Sequence, residues 1–406
     1  MPSTATAGLF AGSALETNAE LRLEIVSDYS AFLDLKPVWD RLVEASSIEH
    51  PFLEHDWMHA WWDCFGAGRG NELHILVVKS RNEPIAIAPF ILTTARMYGL
   101  RVRRLGFFYN DHVPRAGFIV SKRSEDVHRA IWKYLIHSGG WDLLQLCQLP
   151  EDSETLSAMD VLARGDGYPA GVWQSSAAPH IPIQDSWSYY FGGLDTKFRS
   201  NLRNRFKRLS AIGPLKIEAM RGIRGLEDAL KSGFELEAAA WKGQAGTAIA
   251  CDRDIRNFYE AFAWRAVERG WLRLHFLNVG GARVAFDYTL EYNSRLFVLK
   301  SGYDPDHAAY SPTNLLVCRV IEDAFQQKLD RYDFLGDAAE WKSRWTKHVV
   351  RHYWLFIFPR SFKGRLLHLL KFRIIPLLKR SGRAARKAAV SLKRATAPVE
   401  PPMEKS

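Results

Sequence analysis

Cysteine is scarce in this chain. Four thiols, Cys64, Cys147, Cys251 and Cys318, are scattered through 406 residues. No two form a CxxC pair, so neither a disulfide framework nor a zinc site is expected, and no metal. Long apolar runs are missing too: Trp354–Phe358 and Ile374–Leu378 fall far short of the roughly 20 residues that span a bilayer. The first twenty residues contain no Lys or Arg, which excludes the basic start of a secretory signal. These absences lead to an expectation of a cytoplasmic protein. Acid is nearly missing from one stretch. Arg351 to Ser406 holds fourteen Lys/Arg against two Asp/Glu, a surplus of +12, while the whole chain carries +10. The basic character therefore belongs to the tail, and a general nucleic-acid-binding surface is not implied.

What is present fits a large folded protein. Hydrophobic residues make up 47% and charged residues 25%, with fourteen tryptophans, enough for a substantial core and a length suited to two or three domains. Residues 1–20 read as a disordered leader. Residues 21–182 read as a first α/β domain: helices over Ala31–Ala45, Asp56–Phe65, Glu125–His137 and Glu151–Ala163, and strands over Leu73–Lys79, Ile85–Leu92 and Trp141–Cys147. Residues 183–358 repeat the plan. A basic helix over Thr196–Ile212 is followed by a strand over Leu215–Met220 and helices near Ile223–Ala240 and Arg253–Arg269. Strands Leu272–Asn278, Ala282–Glu291 and Arg295–Gly302 come next, with turns at Gly280-Gly281 and Asn293-Ser294. Helix Pro312–Gln327, strand Arg331–Leu335 and a final strand near His348–Phe358 complete it. Residues 359–406 form a basic amphipathic tail in which Pro376 should disturb any helix.

The segment richest in chemistry is Ala282 to Leu316. In its first strand Val284, Phe286, Tyr288 and Leu290 alternate with Arg283, Asp287, Thr289 and Glu291, so one face is polar and borders either solvent or a cleft. The next strand ends in Lys300-Ser301-Gly302-Tyr303-Asp304-Pro305. Then Ser311 is placed to cap a helix that Pro312 opens. Backbone N–H groups at Ser311, Thr313, Asn314 and Leu315 would point back at the strand end, where an anion is favoured.

This order of strand, strand, Gly302-Tyr303-Asp304 loop, capped helix and strand resembles the core of the GNAT acyltransferases. It is more specifically similar to the FemAB-like branch, which includes acetyltransferases associated with cellulose and exopolysaccharide synthesis. Further matching motifs are Phe198-Arg199-x-Asn201-Leu202-Arg203-x-Arg205, Trp241-Lys242-Gly243, and Asp333-Phe334-Leu335-Gly336 followed by Lys342 and Trp345. The resemblance implies tandem GNAT-like domains with mixed sheets in the α/β (α+β) class. It also implies acetyl-CoA or another acyl-CoA as donor and an amine or hydroxyl acceptor, a small molecule or saccharide. The donor would be held by Lys300, Ser301, Gly302, Ser311, Thr313, Asn314 and Leu315. His307 to Asn314 contains no glycine, unlike the usual donor loop, which leaves a different activated acyl donor open.

Acyl transfer from a thioester requires no enzyme nucleophile, only positioning, a proton acceptor and a group facing the developing negative charge. Asp304 or Asp287 is the expected base and Tyr303 the expected proton donor to the thiolate. Asp304 also suits a plain turn cap. The acceptor is expected to meet Asp333, Lys342, the basic stripe of Arg199 and Arg203, and a flap bearing Trp241 and Lys242. Lys342 could instead pair with Asp337 or Glu340. The tail reads as a membrane-surface anchor on the inner face of the cell membrane. Two other readings stay open: aminoacyl transfer from tRNA, which the basic stripe suits, and a non-catalytic scaffold of a polysaccharide-synthesis complex.

Overall fold

A computed structural model describes residues 21–239, 246 and 248–378. The expected leader, the flap with Trp241 and Lys242, and the tail after 378 lie outside the described residues. Among the described residues thirteen strands form one continuous hydrogen-bonded array. The first half supplies β1 (Leu21–Val26), β2 (Asn71–Ser80), β3 (Glu83–Met97), β4 (Leu100–Phe107), β5 (Ile119–Val120), β6 (Leu143–Pro150) and β7 (Ala170–Pro182). The second supplies β8 (Leu215–Met220), β9 (Leu272–Val279), β10 (Ala282–Tyr292), β11 (Arg295–Tyr303), β12 (Arg331–Asp333) and β13 (Val349–Ile357). The spatial order is β1-β2-β3-β4-β6-β13-β7-β12-β11-β10-β9-β8, with β5 beside β3.

The two halves share a topology. In each, an antiparallel three-strand meander (β2-β3-β4, then β9-β10-β11) leads through a helix to a strand parallel to the meander's last member. The helices are Ser124–Ser138 and Pro312–Gln326. Local chemistry sets the meanders. The turns Arg81-Asn82 and Asn293-Ser294 place two consecutive residues at positive φ, the geometry whose twist matches a two-residue hairpin. Helix Pro312–Gln326 buries Leu315, Leu316, Val317, Val320, Ile321, Ala324 and Phe325, an apolar stripe wide enough to cover the sheet.

The halves are interlocked. β13, which follows β12 in the chain, leaves the second half and inserts between β6 and β7 of the first. β7 in turn pairs with β13 along most of its length and with β12 through His180–Pro182. The second unit expected over 183–358 thus does not keep its last strand. Leu355 and Ile357 complete the apolar core of the first half instead. A second core bridges the halves. Trp57, on helix His55–Trp61, meets Phe258 and Phe262, on helix Arg253–Glu268, edge to face at 5.0 and 4.8 Å.

Other departures have local causes. The helix expected over Ala31–Ala45 is two helices, Tyr29–Asp34 and Lys36–Glu44, because Pro37 begins a new first turn. Helix Phe362–Leu369 docks Leu367 on the sheet and continues into a widened turn, Leu370–Ile374, just before Pro376, which cannot donate a backbone hydrogen bond. Among the described residues no helix is long and apolar enough to cross a membrane.

Candidate active site

β11 and β12 run parallel and pair only over Arg295–Phe297 with Arg331–Asp333. β12 then ends, while β11 continues to Tyr303, held on its other side by β10. A gap therefore opens between the far end of β11 and the chain leaving β12, one edge of which is β11 backbone. A cavity of about 340 Å³ opens there. Lys300 and Leu299 of β11 and Leu335, Gly336 and Asp337 beyond β12 form one wall. The opposite wall comes from the first half and β13: Tyr109, His112, Ser175, His352 and Trp354, with Tyr259 alongside.

The charge in this cavity is unevenly distributed. The Lys300 ammonium stands 5.2 Å over the Tyr259 ring. His112 Nδ1 lies 3.3 Å from the Tyr259 hydroxyl. Burial, reinforced by Lys300, pushes the His112 imidazole down to about 4, so it is neutral at pH 7. His352 is likewise held down to about 4, by burial first and by Arg115 second. Asp337 adds a carboxylate on the β12 side.

Of the residues expected to hold the donor, Lys300 lines this cavity, and Ser301, Gly302, Ser311, Thr313, Asn314 and Leu315 do not. Ser311 does not cap its helix: it sits in the left-handed region at φ 48° with no side-chain cap bond. Its carbonyl accepts from Asn314 N (3.0 Å) and Leu315 N (3.3 Å), so those two N–H groups are already engaged. Thr313 Oγ1 is buried without a hydrogen-bond partner at the same turn. Gly302 is required by packing. A Cβ there would lie 2.4 Å from the Glu237 backbone of helix Leu226–Ala239, which crosses β11 at that point. Ser301 pairs in register with Asp287.

The expected catalytic acids are placed elsewhere. Asp287 and Thr289 are wholly buried, so the middle of the polar face of β10 borders no solvent; Arg283 and Glu291 at its ends are partly exposed and pair with Glu218 and Arg273. Asp304 caps the short 3-10 turn Pro305–Tyr310 by accepting from Asp306 N, and its other oxygen meets His307 Nδ1 at 2.9 Å. Tyr303 is half-buried against the core under helix Pro312–Gln326. None of the three lines the cavity.

Four of the expected acceptor residues make contacts within the protein, and Trp241 and Lys242 lie outside the described residues. Asp333 is fully buried and pairs at 2.6 Å with Arg115 of the first half, whose Nε also approaches His352 Nε2 at 3.3 Å. Lys342 donates to the Leu335 carbonyl at 2.5 Å and holds the left-handed turn at Leu335-Gly336, while Glu340 pairs with Arg344. Arg199 ties back to the Leu194 carbonyl and Thr196 Oγ1, and Arg203 lies 5.7 Å over the Phe191 ring. His112, Tyr259 and Arg115 were not singled out from the sequence. The polar run Tyr109-Asn110-Asp111-His112, directly after a strand, was the available signal for the first.

A larger groove of about 1110 Å³ is lined by Tyr190, Lys197, Asn201 and Trp345. It borders Phe325, at the C-terminal end of the helix whose N-terminus faces the β11 exit, about 20 Å away by helix rise.

Residues 196–343 match the acetyltransferase (GNAT) domain family. No curated protein matches the chain in sequence. Among solved structures, FemX is similar at 13% identity and TM-score 0.57, over 83% of this chain and 98% of its own. A conserved protein of unknown function from Bacteroides thetaiotaomicron is similar at 10% identity and TM-score 0.53, over 83% and 100%. At these identities the likeness is one of fold, and it extends over both halves. Residues 196–343 thus match a GNAT acetyltransferase domain, within a mixed α/β, tandem GNAT-like fold; GNAT domains use acyl-CoA donors.

Proposed function

We propose that the protein transfers an acyl group, acetyl in the simplest case, from coenzyme A to an amine or hydroxyl of a small molecule or saccharide used in envelope or exopolysaccharide synthesis. The observation that carries the transfer step is the gap between β11 and β12 opening onto the cavity with Lys300, Tyr259 and His112. The acyl-pantetheine would lie along the unpaired edge of β11, its carbonyl near Lys300. The acceptor atom attacks that carbonyl, a C–N or C–O bond forms and the C–S bond breaks. Neutral His112 takes the acceptor's proton, and the Lys300 charge offsets the oxyanion and then the thiolate.

The test is thiol release from acetyl-CoA with a panel of amino and hydroxyl sugars. His112→Gln should lower kcat about 100-fold, within the usual range for loss of a general base, with folding unchanged. Unaltered turnover would remove His112 from the mechanism. An aminoacyl-tRNA donor would call on the basic stripe, but Arg199 and Arg203 are engaged within the protein, which favours the coenzyme A reading.

We also propose peripheral contact with an anionic membrane. Phe362 is 84% exposed, and Leu369, Leu377 and Leu378 are exposed along the same basic segment. Flotation with phosphatidylglycerol vesicles should weaken on removal of residues 360–406; equal flotation would refute the anchor.

A further inference from the structure

A second cavity, of about 330 Å³, lies at the other end of β11, where the halves meet. Three arginines from separate segments converge on it: Arg115, Arg295 and Arg331. Arg295 and Arg331 begin β11 and β12 and are direct partners in the parallel register. Their side chains therefore leave the sheet on one face, side by side, an arrangement that repels unless a negative charge lies between.

The available carboxylates do not supply that charge. Asp333 is committed to Arg115. Glu49 binds Arg295 from a position 57% exposed, where solvent screens it, and Arg295 Nε remains buried without a hydrogen-bond partner. Asp152 and Glu154 line the rim but are exposed, and Glu154 accepts from Ser124. Among the described residues Arg331 has no carboxylate within ion-pair distance. Burial and then the neighbouring Arg295 push its guanidinium below its usual range. Helix Glu154–Gly165 starts at the same cavity, at Ser153, whose side chain makes no cap bond.

We propose that this cavity is an anion site for a phosphate or diphosphate group of a small molecule, gripped by the Arg295–Arg331 pair. Planar guanidinium forks match phosphate oxygens two at a time, and a half-buried pair gives that match more weight than surface lysines would. The site is separate from the donor's. Arg295 and Tyr303 are opposite ends of a nine-residue strand, about 26 Å apart at the usual rise, and the GNAT donor loop lies beyond Tyr303.

The test is pyrophosphate titration of the full-length protein by calorimetry at fixed ionic strength, with and without saturating acetyl-CoA. Wild-type protein should bind pyrophosphate equally well in both conditions. Arg331→Gln should weaken binding at least tenfold, and Glu49→Gln, which removes an exposed competing carboxylate, should tighten it several-fold. The proposal is overturned by absence of binding to wild type, by equal binding to Arg331→Gln, or by displacement with acetyl-CoA, which would place the anion at the donor loop. Should Arg331→Gln fail to fold, unchanged affinity in Glu49→Gln overturns it. Acetyl-CoA binding is read separately, so failure here leaves the acyl-transfer reading untouched.

Discussion

Arg115 and Asp333 come from different halves and are 218 positions apart, yet each is almost wholly buried against the other. Removing one partner leaves an uncompensated charge in the interior, so Asp333→Ala should cost about 3–5 kcal/mol of stability in urea unfolding. The double change Arg115→Met with Asp333→Leu should recover much of that loss; no recovery would mean the pair does more than neutralise itself. Buried histidines add a pH dependence. Burial holds His55, His112, His180 and His352 near 4 and His275 near 3. Folded, they stay neutral, while the unfolded chain protonates them near 6.5. Their stabilisation is thus complete above about 6.5 and is lost as pH falls towards 4. Glu54, raised to about 7 by burial, acts in the opposite sense between 4.5 and 7, but it is one group against these five histidines and against His50, His74, His128 and His368, which burial also lowers. Net stability should therefore fall between pH 6.5 and 4, by about 1.4 kcal/mol per pH unit for each net proton taken up on unfolding. A flat profile of unfolding free energy over that range would contradict the assignment.

Among the elements, those with strict alternation or a clear start were legible. β8 to β11 and helix Pro312–Gln326 follow from alternating apolar residues, paired turn residues and Pro312. β7 was not legible: Ala-Gly-Val-Trp-Gln-Ser-Ser-Ala-Ala is poor in β-branched residues, and its role comes from pairing with β13 and β12, far away in sequence. The candidate site divides the same way. Lys300 sits on a legible strand end, whereas His112 and Tyr259 reach the cavity only through tertiary folding. The resemblance assigns Asp333 and Lys342 to the acceptor, and sequence alone does not reveal that Arg115 and a carbonyl turn already engage them. Gly302 marks where helix Leu226–Ala239 touches β11. Gly302→Ala sets a methyl against backbone that cannot rotate away. It should lower stability by several kcal/mol, on the order of an overpacked core, with a matching drop in melting temperature. A variant as stable as wild type would show that the helix can move.

For the whole molecule, the crossing of β13 and the double pairing of β7 make the halves dependent on each other. Residues 183–358 alone would leave β12 without its β7 neighbour and β13 without a sheet, and residues 21–182 alone would leave a slot between β6 and β7. Neither fragment should show a cooperative thermal transition, whereas the full chain should unfold in one. The same interlock builds the cavity beside Lys300, because first-half loops wall a gap opened by the second-half strands. The most direct measurement of the central claim is calorimetric titration of the intact protein with acetyl-CoA. The account predicts saturable one-to-one binding that Lys300→Met weakens. No binding of acetyl-CoA or of longer acyl-CoAs by the folded wild-type protein would contradict it.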